Sequence, residues 1–357
     1  MSPSKPVRVL LAAAAAAATV TGLIAGSSAD ADAKPTKPTK SLAGLKILIT
    51  NDDSMQASNA RNSDGLGLWE LRRAVCNAGA DVVVIAPWSV QSGRGTAVTN
   101  GGTMHIGTKV PAGYENDCAG ARSGAPVVGL CVDSIPCTPS SPGATPSDTV
   151  KFALRGGLAE LAGWDRPDLL LSGINSGLNV ANSVTDSGTV GATVAAIEDE
   201  LPAIAFSTSM NDARNFPVEN YRATAEWGAR FVAGLRVKGL LLQHKFSVNV
   251  NYPNVLDNGR AKPAVMASVG EGQGARHTYT KQPDGSYTIG LVLCETVVPA
   301  LPDCVETRRD ADLPLVMKQN RITVTAINAD RTYGYPVDGK RELAKLKHFV
   351  KHHAPRP

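Results

Sequence analysis

The 357-residue chain is poor in aromatic residues (5%) and in histidine (six), and its formal net charge is only +4. A charge that small, with several of the Lys and Arg in the two termini, gives weak attraction to anions and no case for nucleic-acid binding. The six cysteines include no Cys-x-x-Cys pair, so the usual framework of a thiolate metal site is missing. Beyond the first thirty or so residues no apolar run is long enough to cross a bilayer, and no internal repeat is present. What is present is a near-average apolar content of 43%, enough for a large core in one or two domains.

The N-terminus reads as an export signal over residues 1–33. Lys5 and Arg8 give a short basic start, Val9 to Gly26 is apolar and Ala-rich, and Ala29-Asp30-Ala31 and Ala31-Asp32-Ala33 both suit cleavage. The competing reading is an uncleaved anchor, because the run is just long enough to span a bilayer. Cleavage implies a secreted protein with no stable membrane association. No Cys follows the run, which argues against a lipid anchor. Residues 34–44 form a Pro- and Lys-rich linker.

Six cysteines fit an oxidising compartment. Cys294 and Cys304 flank a Pro-containing loop and are expected to pair. One further bridge is expected among Cys118, Cys131 and Cys137, while Cys76 falls on a helix.

From Leu45 onward strands and helices alternate. Leu45 to Thr50 is a short apolar run that suits a buried strand. Leu66 to Ala78 has helical spacing and stops before Gly79, and Asp81 to Ala86 is a β-branched strand. This βαβ unit predicts a parallel sheet with a right-handed crossover. Further on, Ser147 to Ala162, Ser187 to Glu200 and Asn220 to Leu235 read as helices, and Asp168 to Ser172 and Ala203 to Ser207 as strands. The Gly/Pro/Ser-rich stretch 113–143 reads as an insertion in an α/β body spanning 45–240. Residues 241–340 are β-rich, and 341–357 read as a terminal helix and a frayed basic tail.

Open α/β sheets bind ligands beyond the carboxyl ends of their strands. Three segments stand at such ends. Thr50-Asn51-Asp52-Asp53-Ser54 puts two adjacent carboxylates after an apolar strand, which is costly without a counter-charge; a hard divalent cation with oxygen ligands would supply one. Asn and Asp are equally what a plain turn and helix cap contain. Pro87 to Gly95 offers Ser92, Gly93 and Arg94, suited to a hydroxyl ligand and close approach of an anion, though a flexible Gly-Ser loop looks the same. Gly173 to Asn179 is followed by Ser187-Gly188-Thr189 at a helix start, which is either a phosphate cradle or an ordinary Ser cap. Taken together, the three segments supply carboxylates, hydroxyls and carboxamides, a mixture that suits Mg²⁺ or Mn²⁺ better than zinc. His105, His244 and His277 lie outside these segments.

The segments ILITNDDS, APWSVQSGRG, GATPSDTVKFAL, PDLLLSGINSGLN and SGTVGATVAAIEDELPAIAFS, in that order, resemble the SurE family of nucleotidases (survival protein E). FSVNVNYP and the text around Asp310 to Ile327 resemble the family's C-terminal part more loosely. The resemblance implies a three-layer α/β/α, Rossmann-like, mostly parallel sheet with a C-terminal β-rich extension. It implies a divalent cation held by Asp52, Asp53, Ser92 and Asn175, and a phosphate pocket at Asn179, Ser187, Gly188 and Thr189, with Gly93 beside it. It also implies hydrolysis of nucleoside 5′- and 3′-monophosphates, with Asp52 or Asp53 aiding proton transfer, in a homodimer or homotetramer that exchanges C-terminal arms. Ser54 replaces the family's usual Gly, Asp186 replaces a frequent Tyr, and the 54–65 loop is longer than usual. Two rival functions fit the same aspartates less specifically: a calcium-dependent nucleoside hydrolase, and a non-catalytic extracellular nucleotide- or phosphate-binding protein.

Overall fold

The computed structural model describes residues 41–57, 65–241, 243–294, 305–329 and 340–357. The expected signal peptide, most of the linker and Cys304 lie outside the described residues. No described helix is long and apolar enough to cross a membrane.

In chain order the elements are β1 (Lys46–Thr50), α1 (Leu66–Asn77), β2 (Asp81–Pro87), β3 (Met104–Gly107) and β4 (Val127–Val132). Next, α2 (Pro146–Phe152) runs through a π-turn (Ala153–Gly157) into α3 (Leu158–Ala162), followed by β5 (Leu169–Ser176), α4 (Ser183–Asp186) and α5 (Gly188–Glu198). Then come β6 (Ala203–Thr208), α6 (Val218–Val237), β7 (Ser247–Tyr252), α7 (Val255–Asn258) and β8 (Lys262–Met266). The chain continues with β9 (Ala275–Lys281), β10 (Tyr287–Leu293), α8 (Asp312–Met317), β11 (Arg321–Ile327) and α9 (Lys340–His352).

Among the described residues one sheet has the order β3-β4-β2-β1-β5-β6-β7-β11-β8. The six strands from β4 to β7 in that order are mutually parallel, whereas β3 and β11 pair antiparallel with β4 and β7. The chain builds outward from β1 through β2 to β4, then returns to lay β5 on the other side of β1. The reversal leaves a crevice at the carboxyl ends of β1 and β5.

Alternation along the strands sorts side chains between two cores. Ile47 and Ile49 of β1, with Val82 and Val84 of β2, pack with Trp69, Tyr221 and Trp227 of α1 and α6. Leu48, Val83 and Ile85 face the opposite layer, with Val150, Leu158, Ala192 and Ala196 of α2, α3 and α5. Both faces are covered, as a parallel sheet requires, and this explains why these strands are apolar throughout. Each fully buried Val, Leu or Ile contributes about 1.5–3 kcal/mol.

The stretch 113–143 is not wholly an insertion. Its middle, β4, is buried and hydrogen-bonded on both edges, to β2 and β3. The irregular part is pinned by the disulfides Cys76–Cys118 and Cys131–Cys137. The second satisfies the expected bridge within the cluster; the first, from α1, had no sequence signal. Cys294 is also disulfide-bonded.

The extra C-terminal strands join in two ways. β7, β11 and β8 lengthen the main sheet, while β9 and β10 form a separate two-stranded ribbon. The tail does not fray: Trp227 Nε1 donates to the Pro355 carbonyl at 3.0 Å, and Arg260 Nε to the Pro357 carbonyl at 2.6 Å.

Candidate active site

The loop leaving β1 is held on every side. Thr50 and Thr149 hydroxyls bond at 2.8 Å, the Gln91 N–H donates to the Asp52 carbonyl at 2.7 Å, and the Met55 N–H to the Pro87 carbonyl at 3.1 Å. Ser54 adopts φ +73°, the left-handed region where glycine is at ease. The tight turn buries Asp52 to 2% exposure and Asp53 to 1%.

Asp52 meets the start of α5. Thr189 Oγ1 donates to Asp52 Oδ1 at 2.5 Å, and backbone N–H groups of Gly188 and Thr189 also point to this carboxylate. Burial drives its pKa up, against the lowering effect of these hydrogen bonds. Ser187 caps the helix, its Oγ accepting from the Val190 N–H at 3.1 Å. The positive end of α5 is therefore turned on Asp52 itself.

The same Thr189 hydroxyl lies 3.1 Å from Asn175 Oδ1 and 3.3 Å from Asn51 Oδ1. Both amides are turned by their far ends: Asn175 Nδ2 donates to the Gly177 carbonyl at 2.8 Å, and Asn51 Nδ2 to the Ile174 carbonyl at 3.3 Å. Three acceptor oxygens thus surround one hydroxyl, which has a single proton to give. Asn175 reaches this point because β5 continues past the expected strand end, with a register shift against β6 between Ser172 and Asn175.

Asp53 forms the other half of the cluster. Ser92 Oγ donates to Asp53 Oδ1 at 3.4 Å, and the Ser176 N–H to Asp53 Oδ2 at 2.6 Å. Ser92, Gly93 and Arg94 are exposed, and Gly93 has φ +79° with nothing within 4 Å of where a Cβ would stand.

Asp52, Asp53, Ser92 and Asn175 are therefore linked directly or through one neighbour, and Ser187, Gly188 and Thr189 stand against them. Asn179 is oriented elsewhere. Its Nδ2 donates to Ser207 Oγ at 2.9 Å, its N–H to Asn251 Oδ1 at 2.8 Å, and its carbonyl accepts from Asn249 and Asn251. Asn51 is the residue that sequence reasoning missed. It lies within the motif itself, but adjacency to two aspartates hid it.

Acceptor oxygens outnumber protons here, and Asp52 has no Lys or Arg partner among the described residues. Such a set fits a hard divalent cation with oxygen ligands. No three His, Cys, Asp or Glu side chains gather as a metal set among the described residues. The donors are two carboxylates completed by neutral hydroxyl and carboxamide oxygens, a choice nearer to Mg²⁺ or Mn²⁺ than to zinc.

The family model described as survival protein SurE matches residues 47–273. The chain is 29% identical over 304 residues to a protein of Gloeobacter violaceus named 5′-nucleotidase SurE, covering 85% of this chain and 97% of that one. A protein of the same name from Microcystis aeruginosa is 29% identical over 294 residues, covering 81% and 92%. Against one from Solidesulfovibrio magneticus the identity is 31% over 209 residues, and the match spans only 65% of that relative's length. The crystal structure of the Sure protein from Aquifex aeolicus superposes with a TM-score of 0.54 at 23% identity, over 85% of this chain and 99% of that one.

Proposed function

The chain belongs to the SurE family, and from that premise we propose that it is a secreted, Mg²⁺- or Mn²⁺-dependent phosphomonoesterase acting on nucleoside 5′- and 3′-monophosphates. The observation that carries this reading is the crowding of acceptor oxygens from Asn51, Asp52 and Asn175 around one Thr189 proton, beside Asp53 and Ser92.

Asp52, Asp53, Ser92 and Asn175 would hold the cation. When bound, such a cation polarises a phosphoryl oxygen and makes water more acidic. The chain's own part is positional. Thr189 and the N–H groups of Gly188 and Thr189 fix Asp52, and Ser176 fixes Asp53. Ser187 holds the first turn of α5, so the dipole of that helix bears on the anion side of the crevice. Gly93 leaves open backbone at the mouth, and exposed Arg94 next to it suits a phosphate's geometry. Asn179, bonded to Ser207 and Asn251, braces β6 and β7 behind the crevice and is assigned no contact with the phosphate. Either aspartate is placed to accept a proton.

The domain plan that accompanies this function has an export signal over 1–33, a linker over 34–44, a catalytic body over 45–240 and a C-terminal arm over 241–340. The ribbon β9–β10 exposes Tyr279, Tyr287, Ile289 and Leu291, and Tyr279 stands opposite Ile289. That apolar face supports assembly as a homodimer or homotetramer through the arm.

The test is product analysis with AMP. Inorganic phosphate released with Mn²⁺ or Mg²⁺, and abolished by EDTA, is the expected result. Free adenine without phosphate would indicate a nucleoside hydrolase instead, and binding without turnover a binding protein.

A further inference from the structure

The C-terminal helix concentrates charge that the rest of the chain lacks. Residues 340–357 contain six Lys and Arg against a single carboxylate, Glu342, while the whole chain carries a formal +4. The helix is amphipathic: Leu346, Phe349 and Val350 are buried against the α6 side of the core. Its outer face carries Arg341, Lys345, His348 and His352 at i, i+4, i+7 and i+11, a single stripe.

Helix stability accounts for one member of this stripe, His352 in the last turn, and not for the others. Like charges at i, i+4 destabilise a helix by a few tenths of a kcal/mol each. Arg341 sits in the first turn, where the positive end of the helix disfavours a cation. Among the described residues Arg341, Lys345, His348, His353 and Lys238 make no ion pair with a carboxylate. Glu342 lies at a different crevice, with Leu241, Phe246 and Leu346.

Basic side chains border a groove of about 580 Å³ between α9 and the end of α6. Lys238, Arg341, Lys345, His348 and His353 are its basic lining, and Leu240, Ala344 and Phe349 its apolar lining. The ring of His348 lies 4.7 Å from that of His352 and 5.6 Å from that of His353.

We propose that this groove is a binding site for a multiply charged phosphate anion, separate from the crevice at the strand ends. Along α9 the basic side chains lining the groove, from Arg341 to His348, run about 10 Å, which exceeds one phosphate and suits linked ones. No carboxylate lines the groove to repel them. The groove's size falls within the range of small-molecule sites. His353 feels this field already: desolvation and then the charges of Lys238, His348 and His352 hold its pKa below the usual histidine value. Arg341 and Lys345 of α9 add to the same face. A bound anion reverses that field, so binding takes up protons and tightens as pH falls.

The test is calorimetric titration of the full chain with inorganic tripolyphosphate in EDTA, at pH 6 and pH 8, for wild type, a Lys345→Ala/His348→Ala double variant and Asp52→Ala. All three substituted positions can be checked for folding by circular dichroism. The expected result is one binding event, tighter at pH 6, weakened about tenfold or more by the double substitution and unchanged in Asp52→Ala. Phosphate release from AMP by the metal-loaded double variant is expected to match wild type. No binding to wild type, or binding indifferent to the double substitution, would overturn the proposal. If AMP turnover fails in wild type while the groove still binds, the proposed function falls and this site stands.

Discussion

Gly188 is pressed against Asp52: a Cβ added to Gly188 would stand 2.8 Å from Asp52 Cβ and 3.1 Å from Asp52 Oδ2. Real Cβ atoms do not approach backbone-anchored neighbours that closely, and here Asp52 is fixed by its own turn. Gly188→Ala must shift either the aspartate or the helix start. The expected outcome is a loss of phosphate release of 100-fold or more, on the order of what small displacements of catalytic groups cost. Melting temperature should fall only a few degrees. Steady-state kinetics with AMP, run beside a thermal melt, checks both.

The Thr189 hydroxyl is the one side-chain donor among three acceptors. Thr189→Val keeps the shape and removes the proton. Without metal, Asp52 then keeps only its backbone N–H donors while the Asn51 and Asn175 oxygens lose theirs, at a cost of about 1–3 kcal/mol. A saturating cation substitutes its own charge for the lost proton, so the deficit should shrink when Mn²⁺ is added. Urea unfolding with EDTA and with Mn²⁺ measures the difference. An equal deficit in both conditions would show that no cation enters this cluster. In the companion variant Asp52→Ala, metal-induced stabilisation and activity should both disappear while the fold persists.

Much of this was legible beforehand because both faces of the sheet are covered. Continuous apolar runs then mark strands directly: residues 45–50 were expected and Lys46–Thr50 is found. The two aspartates stood out because carboxylates are rare beside such a run. Other features had no local signature. Gly173-Ile174-Asn175 reads as a loop, yet β5 carries Asn175 into the cluster, since pairing with β6 resumes at Asn175–Ser207 after the shift. The helix expected over 147–162 breaks at Gly156, φ +130°, into α2, a π-turn and α3. The seating of β11 between β7 and β8 depends on partners about 60 to 80 residues away in sequence, which no periodicity encodes.

Asp312 gives the fold a pH dependence away from the candidate active site. It is fully buried, and its carboxylate accepts N–H groups from Leu313 at 2.8 Å, Gly270 at 3.0 Å and Ala181 at 3.2 Å. Desolvation nevertheless raises its pKa from 3.8 to about 6, with Glu306 adding to the rise. A raised carboxyl pKa means the folded state binds the proton more tightly than the unfolded state. Its favourable contribution is therefore complete below pH ~4 and is lost as pH climbs toward 6, on the order of 3 kcal/mol in all. Asp312→Asn cannot titrate, so the wild-type-minus-variant stability difference should move in the variant's favour across that window and be flat outside it. Melts from pH 3.5 to 8 give that difference. A flat profile throughout would mean Asp312 stays charged in the fold.

The two described disulfides should differ in what they contribute. Cys76–Cys118 closes 42 residues and ties α1 to the irregular stretch before β4, whereas Cys131–Cys137 closes six. Loop-closure entropy assigns about 4 kcal/mol to the longer and about 2 kcal/mol to the shorter. The longer bridge is reinforced by neighbours that also bind the stretch to α1: Tyr114 donates to the buried Glu70 at 2.7 Å, and Arg72 donates to the Tyr114 and Asp117 carbonyls. Those bonds persist when the cysteines are replaced. The loss for Cys76→Ser/Cys118→Ser should therefore approach the chain-entropy figure without disturbing the crevice, and kcat with AMP should stay within about twofold at 25 °C. Cys131→Ser/Cys137→Ser should cost about half as much. Its effect should reach the crevice more directly, because Trp88 of the Ser-Gly segment donates through Nε1 to the Thr138 carbonyl at 2.5 Å, one residue past Cys137. Guanidinium unfolding of the two double variants, paired with AMP kinetics, separates stability from site geometry. A larger stability loss at the short loop would show that local packing, and not loop length, sets the value of these bridges.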